Sequence, residues 1–229
     1  MSSNPTHQKA AGPEGPEALS LIPGLGDVSR ETLERFELFV ALLRRWQRTH
    51  NLISAKTLDQ IWSRHIADSA QIVPLLPDAT RWVDLGSGGG FPGLVVAILI
   101  ADRPGARVDL VESNGKKAAF LRAVIRAAGL PAEVHCGRIE TVLADWPEPV
   151  DAVTARALAP LSKLCEWSYP LVRGDAVAVF HKGQDFEVEY RECTKYWAFD
   201  LVKIESVVDP GGVIVRIANL QPLLPRPGK

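Results

Sequence analysis

Cysteine is scarce in this chain of 229 residues: Cys136, Cys165 and Cys193 stand alone, without a CxxC pair or a histidine-rich spacing. An odd number in that pattern excludes a disulfide framework and a zinc site, and it fits the reducing cytoplasm. Long apolar runs are missing as well. The longest, residues 94–101, falls far short of the roughly 18 residues that a membrane helix needs. The opening MSSNPTHQKA lacks the apolar core of a signal peptide. Nor is there a surplus of positive charge, since 26 Lys and Arg against 27 Asp and Glu leave a net charge of −1. A nucleic-acid partner would therefore have to be held by local basic patches. What is present is an ordinary globular composition, 46% hydrophobic and 23% charged. A chain this long can bury roughly 70% of its unfolded surface without a staple.

Residues 1–27 hold four prolines and four glycines among few apolar side chains, which predicts a flexible leader. Residues 28–77 form a helical cap. Its first helix starts at the N-cap Ser29 and carries Leu33, Phe36, Val40, Leu43 and Trp46 on one face. Its second runs from a capping box, Thr57 and Gln60, to about Val73, where Pro74 stops it. On such a helix Arg64 and Asp68 would pair, and His65 would lie beside Ser69. Trp46 and Trp62 fall on core faces, and Cys165 in its helical setting reads as packing.

Residues 78–219 switch to alternating strands and helices. Strand patterns lie at 81–85, 107–112, 132–137, 151–154, 175–180, 201–208 and 213–217; helical ones lie at 94–101, 116–128, 161–171 and 186–197. This is an α/β, Rossmann-like domain with a mostly parallel seven-stranded sheet. The hairpin-length turn Asp209-Pro210-Gly211-Gly212 makes the last strand antiparallel. Residues 220–229 form a basic, proline-rich tail.

The strongest signal is the stretch WVDLGSGGGFPG from Trp82 to Gly93. A buried strand ends at Asp84, and glycines then let the backbone turn sharply beside a nucleotide-like ligand. Counted from Gly86, the third glycine of a dinucleotide fingerprint would fall on Phe91, whereas the pattern Asp84, Gly86, Gly88, Gly90 runs without a gap. A carboxylate at the strand tip repels a pyrophosphate and tolerates a sulfonium, so S-adenosylmethionine is the expected cofactor and S-adenosylhomocysteine its product. Glu112, at the end of the second strand, is placed to accept from both ribose hydroxyls. The segment from Gly137 to Glu140 would flank the adenine. These features make the domain a class I S-adenosylmethionine-dependent methyltransferase.

Absences narrow the acceptor. Thr154-Ala155-Arg156-Ala157 stands where an Asn/Asp-Pro-Pro-aromatic motif would mark exocyclic amino methylation. There is no Pro-Cys nucleophile and no His or Lys obviously poised as a general base. A ring nitrogen such as guanine N7 needs no base, because its lone pair is free. A small-molecule methyltransferase and an RNA-binding ribosome-assembly factor are the alternatives.

Several segments together resemble one family: Arg45-Trp46-Gln47, His50-Asn51-Leu52, Arg64-His65-Ile66-Ala67-Asp68-Ser69, the glycine loop through Gly-Phe-Pro-Gly, Gly115-Lys116-Lys117, Arg138-Ile139-Glu140, Arg156-Ala157 and Lys182-Gly183. Across about residues 30–218 the chain is similar to the bacterial small-subunit ribosomal RNA guanine-N7 methyltransferases (RsmG, formerly glucose-inhibited division protein B). The resemblance implies methylation of one guanine N7 in the 530 loop of 16S rRNA, as naked RNA or in a small-subunit particle. It also implies cofactor contacts from Gly86, Phe91, Ile139, Glu140 and Arg156. The chain departs from the family at Trp46-Gln47, where Trp-Asn is usual, and at Gly211-Gly212-Val213-Ile214, where the usual basic pair is lost.

Positioning candidates are Asn51, which would fix the linker between the cap helices, together with His65 and Arg156. Arg138, Arg156 and Lys182 follow strands three, four and five, at the sheet edge where ligands bind. Arg138 and Lys182 are expected on RNA backbone, and Arg156 on RNA phosphate or the cofactor carboxylate. Basic clusters around Arg64 on the cap, and at Lys116 and Lys117, would flank the cleft. The expected protein is a cytoplasmic monomer without metal or membrane.

Overall fold

The computed structural model describes residues 13–172 and 174–223. Seven strands form one sheet: β1 Arg81–Leu85, β2 Arg107–Glu112, β3 Ala132–Cys136, β4 Ala152–Arg156, β5 Val177–Lys182, β6 Trp197–Glu205 and β7 Val213–Pro222. Their spatial order is β3-β2-β1-β4-β5-β7-β6. The first five are mutually parallel, and β7 runs antiparallel to both β5 and β6, as the short turn before it requires. The strand order reverses beside β1, which lies between β2 and β4. At such a reversal the loops leaving adjacent strands diverge and open a crevice at their carboxyl ends.

Strand alternation divides the interior in two. Trp82 and Val108 face a core shared with α1 Arg30–Gln47, α3 Gly93–Leu99 and α4 Gly115–Ala128. Val83, Leu85 and Phe180 face the other core, under α5 Ile139–Val142, α6 Leu161–Ser168 and α7 Phe186–Cys193. Ser29 caps α1 by accepting from Thr32 N at 3.1 Å. Phe36, Phe39, Val40 and Leu43 form the buried stripe of that helix. Trp62 is buried, Trp46 is packed against the same core, and Cys165 is buried 3.6 Å from the Cys193 sulfur.

The second cap helix departs from expectation. Ala55–Gln60 is a 3-10 turn capped by Ser54, Ile61–Ala67 is a π-helix, and only α2 Asp68–Ala70 is α-helical. Thr57 is not the cap: its hydroxyl donates to Ser54 O at 3.0 Å and meets His65 Nε2 at 2.8 Å. The wider π turn takes residues four apart out of register. The Arg64–Asp68 pair accordingly does not form. Arg64 pairs with Asp209 and Asp68 with Arg156. His65 likewise bonds to Thr57 and Arg156 instead of Ser69.

The boundaries at both ends also shift. The expected leader is packed in its second half: Pro16–Leu21 forms a 3-10 turn that buries Ala18 and Leu19, followed by buried Ile22. α7 ends at Cys193, and the alternation Trp197, Phe199, Leu201 starts β6 where a helix was expected to continue. Leu220, Gln221 and Pro222, read as tail, complete β7, where Pro222 and Gln221 face Trp197 and Ala198. The rest of the tail, 224–229, and the leader before residue 13 lie outside the described residues. Among the described residues no helix is long and apolar enough to cross a membrane.

Leu19 is 2% exposed in the core shared with the cap. Leu19→Ala is expected to lower the unfolding free energy by about 2–5 kcal/mol, read from urea denaturation. A leader that only brushed the surface would leave the midpoint where it is.

Candidate active site

The glycine loop between β1 and α3 turns through left-handed backbone at Gly86, Gly88 and Gly90, with φ of 66°, 54° and 90°. Its amides are held from two sides. Ser87 N donates to Val111 O at 3.1 Å, and Gly88 N donates to Glu112 Oε2 at 2.8 Å. Glu112 Oε1 accepts from Asn114 N at 2.7 Å. Each carboxylate oxygen has two lone pairs, so one remains on each for a ligand hydroxyl. Glu112 thus shapes the loop while part of its accepting capacity stays uncommitted.

Asp84 is fully buried beneath the loop, and its Oδ2 accepts from Gly93 N at 3.2 Å. Its Oδ1 has no hydrogen-bond partner among the described residues. Burial pushes its carboxyl up to about 7, against the bonds from Ser87 and Gly93 that favour the anion. A cationic ligand next to this carboxyl would supply the missing counter-charge. The donor set fits S-adenosylmethionine, whose sulfonium and ammonium are both positive. A Cβ on Gly93 would sit 2.5 Å from Asp84 Oδ2, and one on Gly89 would sit 2.9 Å from Leu52 O. The cap linker therefore passes directly against the loop.

That linker is fixed by Gln47 and not by Asn51. The Gln47 side chain accepts from Leu52 N at 2.9 Å and Ile53 N at 3.1 Å, and donates to Ile53 O at 2.9 Å. Asn51 is exposed, and its side chain has no hydrogen bond among the described residues. A polar residue on the last turn of an amphipathic helix, just before a linker, was the signal for Gln47.

Beyond the loop, Phe91 forms a partition. Its ring is buried against Phe39 at 5.2 Å and His65 at 4.9 Å, and the Arg156 guanidinium lies 5.1 Å from its centroid. Arg156 Nη1 donates to Asp68 Oδ2 at 3.0 Å and to Arg64 O at 3.1 Å; Nη2 donates to His65 Nδ1 at 2.8 Å. Because Nδ1 accepts, the His65 proton resides on Nε2, facing the Thr57 hydroxyl. Burial, reinforced by the Arg156 charge, lowers the His65 pKa to about 3, so the ring is neutral. The next residue, Ala157, has φ of 51°, a strained conformation for a residue with a side chain.

On the far side of the partition a cleft of about 560 Å³ opens over the carboxyl ends of β4 and β5. His65, Arg156, His181, Lys182, Glu189 and Asp209 are among its walls. Lys182 does not extend toward solvent as an RNA-backbone contact should. Its side chain is 8% exposed, and its Nζ bonds to Glu189 Oε2 at 2.6 Å and Ala159 O at 3.0 Å. Arg64 is tied to Asp209 at 2.7 Å. Arg138, Lys116 and Lys117 lie outside the cleft, Arg138 and Lys116 exposed and Lys117 half-buried. Ile139 is buried at the start of α5, and Glu140 is exposed and accepts from Trp167 Nε1 at 2.8 Å. Asp109, Glu133 and His135 bring ligand atoms within 4.8 Å of one another on β2 and β3. Arg107 donates to both Asp109 and Glu133 and ties them into an ion-pair network.

For His65 the folded pKa lies below the ordinary 6.5, so the unfolded chain binds the extra proton. Against the opposite contribution of Asp84, whose carboxyl burial raises to about 7, the His65 contribution to stability is lost as pH falls from about 6.5 toward 3. His181, also lowered by burial, adds in the same direction. Urea midpoints over that range should fall less steeply for His65→Gln than for the unaltered protein; parallel slopes would contradict the assignment.

Comparison with known proteins agrees with this geometry. The family model described as rRNA small subunit methyltransferase G matches residues 32–214. A relative from Bradyrhizobium sp. (strain BTAi1 / ATCC BAA-1182), named ribosomal RNA small subunit methyltransferase G, is 52% identical over 200 residues, covering 87% of this chain and 88% of its own. One of the same name from Parvibaculum lavamentivorans is 46% identical over 215 residues, covering 93% and 94%. Among solved structures, an O-methyltransferase from Bacillus cereus in complex with S-adenosylhomocysteine superimposes with a TM-score of 0.54 at 16% identity, over 85% of this chain and 93% of that one. The S-adenosylhomocysteine-bound methyltransferase PaMTH1 from Podospora anserina gives 0.57 at 11% identity, over 84% and 97%. These two share the fold, a class I methyltransferase architecture. The extended match to the family model and the close relatives settle the rest: the chain belongs to the small-subunit ribosomal RNA methyltransferase G family.

Proposed function

We propose that this protein transfers a methyl group from S-adenosylmethionine to N7 of one guanine in the 530 loop of 16S ribosomal RNA, acting in the cytoplasm on the RNA or a small-subunit particle. One observation carries the reading. The glycine-loop cradle and the cleft over β4 and β5 open at the same sheet edge, on either side of Phe91 and Arg156.

The cofactor supplies a methyl group activated by its sulfonium. Asp84 offers its unpartnered oxygen to that positive charge, and Glu112 holds the loop open while accepting from the ribose. Gly86, Gly88 and Gly90 would let the backbone approach the cofactor closely, and Ile139 and Glu140, at the start of α5, would border its adenine. Arg156 acts as a positioning residue. Three of its five N–H donors are committed to the cap, which leaves Nε–H and one Nη2 hydrogen to face a ligand. No proton has to leave guanine N7 before attack, which suits walls where both nitrogens of His65 are occupied and Lys182 is paired. Alignment of N7 with the methyl group then supplies most of the rate. The target base has to leave its stack to reach the cleft. Exposed Lys116 and Arg138, with Lys117, take the flanking phosphates.

The test uses labelled S-adenosylmethionine and small-subunit RNA from cells lacking this protein, naked and as particles, with digested nucleosides identified by mass spectrometry. A single 7-methylguanosine is expected. The double variant Asp84→Ala, Glu112→Ala should lose at least about tenfold in cofactor affinity and, with it, transfer. Cofactor binding without transfer to either RNA form would move the assignment to a small-molecule acceptor.

A further inference from the structure

The cleft is furnished with charge in an unexpected way for a protein whose partner is a polyanion. Each of its three cations is spent on a carboxylate of the same cleft: Arg156 on Asp68, Arg64 on Asp209 and Lys182 on Glu189. A fourth carboxylate, Asp185, has no partner among the described residues. A phosphate entering here would meet more negative than positive charge. A group bearing hydrogen-bond donors would meet unused acceptors.

Two of those acceptors are fixed in place. Glu189 Oε2 is gripped by Lys182 Nζ and by Leu161 N, the first amide of α6, both at 2.6 Å. Its Oε1 has no hydrogen-bond partner among the described residues, and the side chain is 23% exposed. His181 is 9% exposed, and its Nε2 donates to Asp68 O at 2.9 Å. In the neutral ring that leaves Nδ1 an acceptor, and this atom is buried without a partner among the described residues. The cleft is also large enough for a base, at about 560 Å³.

We propose that Glu189, held rigid by Lys182 and assisted by His181, reads the Watson–Crick edge of the target guanine. This rests on the guanine-N7 reading above and adds the specificity determinant. Guanine presents N1–H and the N2 amine as adjacent donors on its six-membered ring, while N7 lies on another edge and stays free for the methyl. Adenine would turn the N1 lone pair toward the carboxylate and be repelled. Lys182 is then a positioning residue for Glu189 and not a phosphate ligand.

The experiment compares kcat/KM on small-subunit RNA assembled from synthetic pieces with guanosine or inosine at the methylated position, since inosine lacks only the N2 amine. The wild type should prefer guanosine by roughly ten- to hundredfold. Glu189→Gln should shrink that preference to within about threefold, with cofactor affinity unchanged. A merely structural Glu189 would slow both substrates alike and keep the ratio, which overturns the proposal. A faster Glu189→Gln enzyme would also overturn it, because the carboxylate would then have been opposing a phosphate. Were Glu189→Gln not to fold, Lys182→Gln should reduce the same ratio. Equal wild-type rates on guanosine and inosine overturn the proposal without any variant. Absence of 7-methylguanosine from the wild-type reaction would instead remove the methyltransferase reading, and this inference with it.

Discussion

Arg156 leaves the carboxyl end of β4 and finds three acceptors on one short stretch of the cap: the Arg64 carbonyl, His65 Nδ1 and the Asp68 carboxylate. Side chains on both sides of the Arg156–Asp68 pair are little exposed, at 14% and 13%, so neither charge is well hydrated and each needs the other. Much of the site follows from this joint. It fixes the His65 tautomer, holds the guanidinium near the Phe91 ring, and keeps Asp68 where its carbonyl accepts from His181. Through Gln71, which bonds to Asp68, Ser206 and Val207 N, the same joint extends to the turn between β6 and β7. A cap that could otherwise slide on the sheet is locked to its edge.

The two halves of the edge carry opposite electrostatic instructions. On the glycine-loop side a buried carboxyl lacks a positive partner, which favours a cationic ligand. On the β4–β5 side the cations are cancelled internally and acceptors remain. Such an arrangement lets a nearly neutral chain select its ligands by local complementarity.

Much of the domain was legible because its signals are local. β1 and β2 appear with their exact predicted ends, since apolar strands bounded by charge and glycine have one register. The left-handed turns at Gly86, Gly88 and Gly90, and the Glu112 side chain that braces them, follow from spacings that a short window of sequence contains. The cap was less readable. A π turn at Ile61–Ala67 is a tertiary outcome, set by partners on β4 and in the last turn that no window of sequence contains. The Lys182–Glu189 pair is near in sequence but crosses from strand to helix, so no single periodicity brings the two together; they meet only once α7 folds back over β5. Trp197 was assigned to helix because α7 and β6 are separated by too short a turn for periodicity to register.

Gly89 lies in the same loop, yet its φ is not in the left-handed region, and its neighbour is the carbonyl of Leu52. Its lack of a side chain serves the cap linker as much as the ligand. Loop and linker have therefore to drift together through evolution. A chimera that grafts the cap of a distant relative onto this sheet inherits a compatibility condition at residue 89, and a side chain becomes admissible there only where the grafted linker takes a different path.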